Sequence, residues 1–161
     1  MITEKEQKVY DHLDELDITY KRYEHPPVYT VEEADKYWKD IEGAHCKNLF
    51  LRNDKGTQHF LVVAEQSRKV DLKKLSARIG AKLSFASANR LEKYLGLEAG
   101  AVSPFGLIND DNNEVKVLLD IGLKKEEYVN FHPNANTATI TIANKDFQKF
   151  LSENGYKIKY I

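Results

Sequence analysis

One loop of this 161-residue sequence is suited to hold a small polar group through its backbone. The loop, Gly100–Leu107 (GAVSPFGL), carries no charged side chain. Glycine lets the backbone approach a ligand closely and proline fixes φ, so the loop is expected to be stiff and to present its amide groups. Runs with strand character flank it, and an ordinary turn between strands is therefore the alternative interpretation.

Two further side chains are of types that bind or polarise polar groups. Lys47 lies among the apolar residues of a strand-forming run, 45–52 (HCKNLFLR). A lysine there either extends to water at a sheet edge or points into a polar cleft, where its ammonium would bind a phosphate or carbonyl oxygen. His132 begins the turn-like sequence His132-Pro133-Asn134 and is either a surface residue or part of a site.

Several common kinds of active site are not indicated. No H-E-x-x-H or C-x-x-C spacing is present, so the sequence predicts no metal site. Ser103 is not in a G-x-S-x-G elbow, which argues against a serine-nucleophile hydrolase. Cys46 is the only cysteine, so it is expected to be structural, and the absence of a disulfide framework fits a cytoplasmic protein.

The charge of the chain is nearly balanced, with a formal net charge of -1 and 30% charged residues. A polyanionic partner would therefore need a local basic patch rather than a basic protein as a whole. No run reaches the ~18 apolar residues of a membrane span. Basic residues are densest in one segment, which is either a solvated helix face or a phosphate-contacting patch: Arg68, Lys69, Lys73, Lys74, Arg78 and Lys82.

Capping residues and hydrophobic periodicity predict the elements that position these side chains. Strands are expected at 18–24, 45–52, 58–64, 83–85, 115–121, 127–131, 137–143 and 156–161, with an antiparallel hairpin across 53–56. Helices are expected to begin after caps at Thr3, Thr30, Asp71, Ser87 and Asn144. Helices mixed among hairpin-like strand pairs predict a single α/β or α+β domain, 1–161, around a mixed, largely antiparallel sheet.

Four segments in this order resemble the YbaK/prolyl-tRNA-synthetase-associated editing domain family. The resemblance is closest to the freestanding prolyl-tRNA editing proteins of the PrdX/ProX type, which deacylate alanyl-tRNA(Pro). It implies a compact domain with a curved mixed sheet, in agreement with the elements above. The segments are 25–30 (HPPVYT), 47–51 (KNLFL), 100–107 (GAVSPFGL), and 132–134 (HPN) with Asn136, Thr137 and Thr139.

The resemblance also implies a deacylation pocket and roles for its residues. Lys47, His132 and Gly100 would be catalytic, and water, helped by the terminal ribose hydroxyl, would hydrolyse the ester without metal or cofactor. Mischarged tRNA(Pro), and with it prolyl-tRNA synthetase, would be the partners of a monomeric cytoplasmic protein. The substrate-binding residues implied are Thr30, Asn48, Ala101, Val102, Ser103 and Pro104.

Three other functions remain open at this point. Deacylation of cysteinyl-tRNA(Pro) uses the same motifs, because selectivity depends on pocket volume and lining. A module that binds tRNA or a synthetase without catalysis would retain the fold. A sensor of free proline or alanine would bind the amino acid alone.

Overall fold

Eight strands form one mixed sheet in the computed structural model, which describes residues 1–161 apart from the side chain of Val31. The strands are β1 (Tyr20–Glu24), β2 (Ala44–Asn53), β3 (His59–Glu65), β4 (Leu83–Phe85), β5 (Val115–Leu119), β6 (Tyr128–Phe131), β7 (Ala138–Ala143) and β8 (Lys157–Tyr160). Their order is β1-β7-β6-β2-β3-β5-β8, with β4 also paired to β2. Four pairs are antiparallel and three, β2–β6, β3–β5 and β5–β8, are parallel.

Five α-helices surround this sheet in the described residues, and four of them begin where capping residues predict. The helices are α1 (Glu4–Glu15), α2 (Val31–Trp38), α3 (Leu72–Ile79), α4 (Ala88–Leu95) and α5 (Asn144–Glu153). The caps of the first four accept a backbone N–H two or three residues ahead, as N-cap side chains do. These caps are Thr3, Thr30, Asp71 and Ser87.

The predicted cap at Asn144 is wrong. Ala143 precedes α5 without a side-chain cap, and Asn144 is the first residue of the helix. The buried Asn144 amide instead donates to the carbonyls of Leu123 and Glu126, at 2.8 and 3.0 Å. These carbonyls belong to the distant 3₁₀ segment Ile121–Lys125 and to the residue that follows it, so a tertiary contact displaces the local capping geometry.

The strand character expected beside the Gly100 loop is also wrong. Residues Pro104–Asn109 form a 3₁₀ helix, and no strand lies between α4 and β5 in the described residues. The buried Ser103 hydroxyl accepts the N–H of Phe105 at 3.1 Å, and proline at the first position favours a helical turn. The apolar residues that suggested a strand are buried within this turn instead.

Both faces of the central strands are buried, which explains the near-continuous apolar run in β3. Leu61 and Val63 pack into a large core with side chains of α1, α4 and α5. Phe60 and Val62 point to the opposite face and pack with Leu75 of α3. No helix in the described part of the chain combines the length and apolar character that a membrane span requires.

His59, at the start of β3, makes the free energy of unfolding depend on pH in the acid range. It is 2% exposed, and its Nε2 accepts a hydrogen bond from the Arg90 guanidinium at 3.0 Å. Burial, with the nearby cations of Arg90, Lys93 and Arg52, lowers the pKa of His59 from 6.5 to about 4. The unfolded chain therefore binds more protons than the folded chain between these values, and stability falls as the pH falls through this window.

We expect the wild-type protein to lose about 1 to 3 kcal/mol more than a His59→Gln variant between pH 6.5 and pH 4. Glutamine retains an acceptor for Arg90 but does not titrate. Urea unfolding at a series of pH values measures the difference, and the carboxylates common to both proteins cancel. Parallel pH profiles for the two proteins would show that His59 does not contribute.

Candidate active site

A cavity of about 590 Å³ opens between β2, β6, α2 and the loop that contains Gly100. Six of the nine residues predicted for the site line it, although they come from four separate parts of the chain. Their convergence is a result of the fold, because more than 100 residues separate the first from the last. The six are Thr30, Lys47, Asn48, Gly100, Val102 and His132.

The parallel pairing of β2 with β6 places Lys47 near His132. Ala44 is opposite Val129 and His45 is opposite Asn130 in this pair. Lys47 and His132 each follow two residues later, so the same register places them next to each other. β2 is an interior strand, so Lys47 is not at a sheet edge. It is half-buried in the cavity wall, and among the described residues no carboxylate lies within ion-pair distance of its ammonium. Its charge is therefore available to a ligand.

His132 presents a hydrogen-bond acceptor to the cavity. Its Nδ1 donates to the Ala138 carbonyl at 2.8 Å, since a carbonyl oxygen can only accept. Burial is the main cause that lowers the pKa of His132, and the nearby His25 lowers it further. The ring is therefore neutral at pH 7, with a lone pair on Nε2.

A hydrogen-bonded chain of side chains holds one wall of the cavity. Trp38 Nε1 donates to the Thr139 hydroxyl at 3.1 Å, and that hydroxyl in turn donates to His25 Nε2 at 2.9 Å. His25 Nδ1 donates to the Pro26 carbonyl at 2.9 Å. The indole also stacks on His45, with 4.8 Å between ring centroids. Each ring is held by a partner, so this wall is rigid.

Sequence reasoning did not assign Trp38 to the site, and His25 and Thr139 entered only through the family resemblance. One signal could have pointed to the wall. Thr139 interrupts the apolar residues of β7 and is 1% exposed, and a buried hydroxyl requires a polar partner. The identity of that partner was not available from the sequence, because Trp38 is 101 residues away.

The amide of Asn48 is not engaged by the protein. Asn48 lines the cavity, and its Oδ1 is buried without a hydrogen-bond partner among the described residues. The neighbouring lining amide of Asn130, by contrast, donates to the carbonyls of Glu42 and Ala44 and accepts from the Thr141 hydroxyl. Buried polar groups without a partner are costly. Asn48 therefore presents a buried amide oxygen to the cavity that no protein group engages.

Gly100 adopts φ +90°, a conformation that favours glycine. The N–H of Ala101 donates to the Glu98 carbonyl at 3.1 Å, which holds the turn. Among the described residues, the N–H groups of Gly100 and Val102 have no acceptor. The loop thus presents two backbone donors near the cavity, as its composition predicted.

Three predicted site residues lie outside this lining. Ser103 and Pro104 are buried behind the loop, where the Ser103 hydroxyl caps the 3₁₀ helix. Ala101 lines a second, adjacent cavity. Thr30 does line the main cavity, but its hydroxyl also accepts the Glu33 N–H at 3.1 Å as the cap of α2. These residues shape the loop and α2 rather than presenting free polar groups.

Among the described residues, neither the Cys46 thiol nor a metal-binding cluster provides an alternative catalytic centre. Burial raises the pKa of the Cys46 thiol, so it stays protonated at neutral pH and is a poor nucleophile. No group of three or more His, Cys, Asp or Glu side chains is close enough to hold a metal ion in the described part of the chain.

The predicted basic patch lies on α3 and the segments that flank it. Arg68 pairs with Asp120, and Arg78 donates to the Tyr160 carbonyl at 3.3 Å. Both arginines therefore contribute to the fold. The four lysines of the patch, Lys69, Lys73, Lys74 and Lys82, are exposed.

Residues 25–150 match the aminoacyl-tRNA editing domain family. The chain belongs to this family. The editing domain is 49% identical to the prolyl-tRNA editing protein ProX of Acetoanaerobium sticklandii, over 100% of this chain and 99% of that protein. It is 34% identical to prolyl-tRNA synthetase associated domain-containing protein 1 of Mus musculus, over 89% of this chain and 88% of that protein.

A solved structure has the same fold as this editing domain. The crystal structure of a candidate trans-editing enzyme for prolyl-tRNA synthetase superposes with a TM-score of 0.75, covering 99% of this chain and 98% of that one at 21% identity. The predicted α+β fold with a mixed sheet is confirmed. The family membership confirms the predicted class of enzyme, an aminoacyl-tRNA deacylase.

Proposed function

We propose that this editing domain removes alanine from mischarged tRNA(Pro). The proposal rests on the convergence of Lys47, Asn48, Gly100 and His132 on one cavity, in a chain that is 49% identical to a prolyl-tRNA editing protein. A synthetase pocket built for proline cannot strongly exclude alanine, because a missing methylene changes binding by only about 1–3 kcal/mol. A second site that accepts the smaller residue and excludes proline by size corrects the error.

The rigid wall of the cavity supplies the means to exclude a larger residue. Trp38 is held by Thr139 and stacked on His45, so it cannot move aside without breaking both contacts. The buried side chains of Val28 and Ala34 complete the apolar part of the lining. In this proposal the rigid wall admits a methyl group and excludes the larger pyrrolidine ring.

Each polar group has a role in ester hydrolysis. The Lys47 ammonium binds a phosphate or hydroxyl of the terminal nucleotide. The free amides of Gly100 and Val102 bind the ester carbonyl as negative charge develops on its oxygen. Nε2 of neutral His132 accepts a hydrogen bond from the α-ammonium group of the amino acid. The Asn48 amide binds the terminal ribose.

Water is the nucleophile in this proposal, with help from the terminal ribose hydroxyl and without a metal. A protein nucleophile is not required. The hydroxyl of Ser103 is fully buried and the thiol of Cys46 is protonated. The partners are mischarged tRNA(Pro) and prolyl-tRNA synthetase, and the protein acts as a monomer in the cytoplasm, where translation supplies the substrate.

Deacylation of alanyl-, cysteinyl- and prolyl-tRNA(Pro) by the purified protein in EDTA tests this function. We expect rapid loss of alanine and a rate for proline that is about 5- to 150-fold lower, since overpacking a rigid wall costs about 1–3 kcal/mol. Preferential loss of cysteine would keep the mechanism and assign the other substrate. No turnover of any of the three would contradict the proposed function, and tRNA binding without turnover would identify a binding module.

A further inference from the structure

A second cavity of about 450 Å³ lies beside the active site and shares part of its wall. Tyr29 and Ala99 line both cavities, so the two spaces meet at the Gly100 turn. A β-carbon placed on Gly100 would lie 3.8 Å from the Tyr29 ring. A ligand whose reacting end occupies the first cavity can therefore extend directly into the second.

The Tyr29 ring is exposed on an anchored piece of backbone. Its side chain is 75% exposed, which is uncommon for a large aromatic residue without a partner. The Tyr29 N–H donates to the Glu33 carboxylate at 2.9 Å, and the preceding N–H of Val28 donates to Asn136 Oδ1 at 3.3 Å. These hydrogen bonds fix the backbone that carries the ring, and the face of the ring is exposed and available for a base to stack on.

Asn134 supplies an unused polar group to the same cavity. It is 5% exposed, and its Oδ1 has no hydrogen-bond partner among the described residues. A buried amide oxygen without a partner costs about 1–3 kcal/mol. A ligand that donates a hydrogen bond would relieve this cost, and an amide can both accept from and donate to the edge of a nucleobase.

The charges around the second cavity favour a neutral group. Glu4 and Glu98 lie in its lining with a single cation, Lys5, which is 3.9 Å from Glu98. This balance disfavours a phosphate and leaves an uncharged planar base as the matching chemistry. The phosphates of such a ligand would remain on the Lys47 side or in solvent.

We propose that the second cavity binds the unpaired base that precedes the terminal nucleotide of the substrate, stacked on Tyr29 and hydrogen-bonded by Asn134. This subsite rests on the proposed function, because the terminal aminoacyl nucleotide must occupy the first cavity. In this proposal the two cavities together recognise the single-stranded 3′ end of the tRNA, and its base-paired stem does not contribute to that recognition.

Alanyl esters of adenosine and of the dinucleotide cytidylyl-adenosine distinguish the contributions of the two cavities, because only the dinucleotide carries the preceding base. We expect the wild-type kcat/KM to be about 5-fold or more higher for the dinucleotide, since base stacking on an aromatic residue changes affinity by about 5- to 150-fold. Tyr29→Ala should reduce the dinucleotide-to-adenosine ratio towards one. Tyr29→Phe should retain it, because the ring face is kept.

Asn134 is tested with Asn134→Gly, which tolerates the φ of +60° at this position and removes the side-chain amide together with its unpartnered Oδ1. The ratio should fall several-fold, and the activity on alanyl-adenosine should stay unchanged. The matched control is Phe85→Ala, which removes another exposed aromatic side chain, 62% exposed on β4 and outside both cavities. That variant should keep the wild-type ratio.

The outcomes for the function and for the subsite are distinguishable. Two results would overturn the subsite alone. One is a wild-type protein that turns over alanyl-tRNA(Pro) and alanyl-adenosine but has a dinucleotide-to-adenosine ratio near one. The other is a ratio that Tyr29→Ala does not change. Absence of turnover on every ester would overturn the proposed function and the subsite with it. As a readout besides activity, unacylated cytidylyl-adenosine should shift the NMR signal of the Asn134 side-chain amide, and adenosine should not.

Discussion

Replacing Lys47 by alanine is expected to reduce deacylation of alanyl-tRNA(Pro) by about 100-fold or more, the loss typical of removing one preorganised electrostatic group. The Lys47 ammonium lines the cavity without a carboxylate partner among the described residues, so its charge acts on the substrate. Single-turnover deacylation measures the loss. Circular dichroism should show a folded variant, because alanine is tolerated in a half-buried strand position.

A lysine in another interior strand provides the control for Lys47. Lys116 of β5 is also half-buried, with its ammonium 5.8 Å from the centre of the Phe60 ring, but it does not line the cavity. Lys116→Ala should therefore deacylate at close to the wild-type rate. An active Lys47→Ala variant would remove the central claim of the mechanism.

Replacing Glu6 by alanine is expected to lower the free energy of unfolding by about 3 kcal/mol, the lower end of the cost of breaking a buried ion pair, because Arg22 is partly exposed and keeps Glu24. Glu6 is fully buried in α1 and accepts from Arg22 of β1 at 2.9 Å and from the Tyr10 hydroxyl at 2.9 Å. Alanine leaves both donors without their main acceptor. Urea unfolding monitored by circular dichroism measures the change.

Glu24 provides the control on the same arginine. Its carboxylate accepts from Arg22 at 3.0 Å but is half-exposed, so solvent screens the pair. Glu24→Ala should cause a much smaller loss of stability than Glu6→Ala. Equal losses in the two variants would show that burial does not determine the strength of this network.

The sequence predicted the parts of the structure that depend on near neighbours. A cap such as Thr30 or Asp71 binds an N–H two or three residues away, so the pattern contains both partners of the interaction. The alternation of apolar residues likewise identified the strands. Lys47 and His132 were predicted as site residues for the same reason, because each lies in a short motif that can be recognised locally.

Long-range contacts account for the predictions that were wrong. Asn144 has the residue type of a cap, yet carbonyls about 20 residues upstream bind its amide instead. The apolar residues after Ser103 fit a strand pattern, yet Pro104 and the Ser103 hydroxyl turn them into a 3₁₀ helix packed in the core. In both cases packing outweighed a weak local preference.

The sequence by itself therefore determined the family and the mixed α+β fold, and it predicted Lys47 and His132 as site residues. Only the tertiary structure decided what surrounds them. The parallel pairing of β2 with β6 brings Lys47 near His132, Thr139 fixes Trp38, and Asn134 meets Tyr29 in a second cavity. These arrangements join residues 85 to 105 positions apart, and no local pattern encodes such distances, because their stability comes from packing of the whole chain.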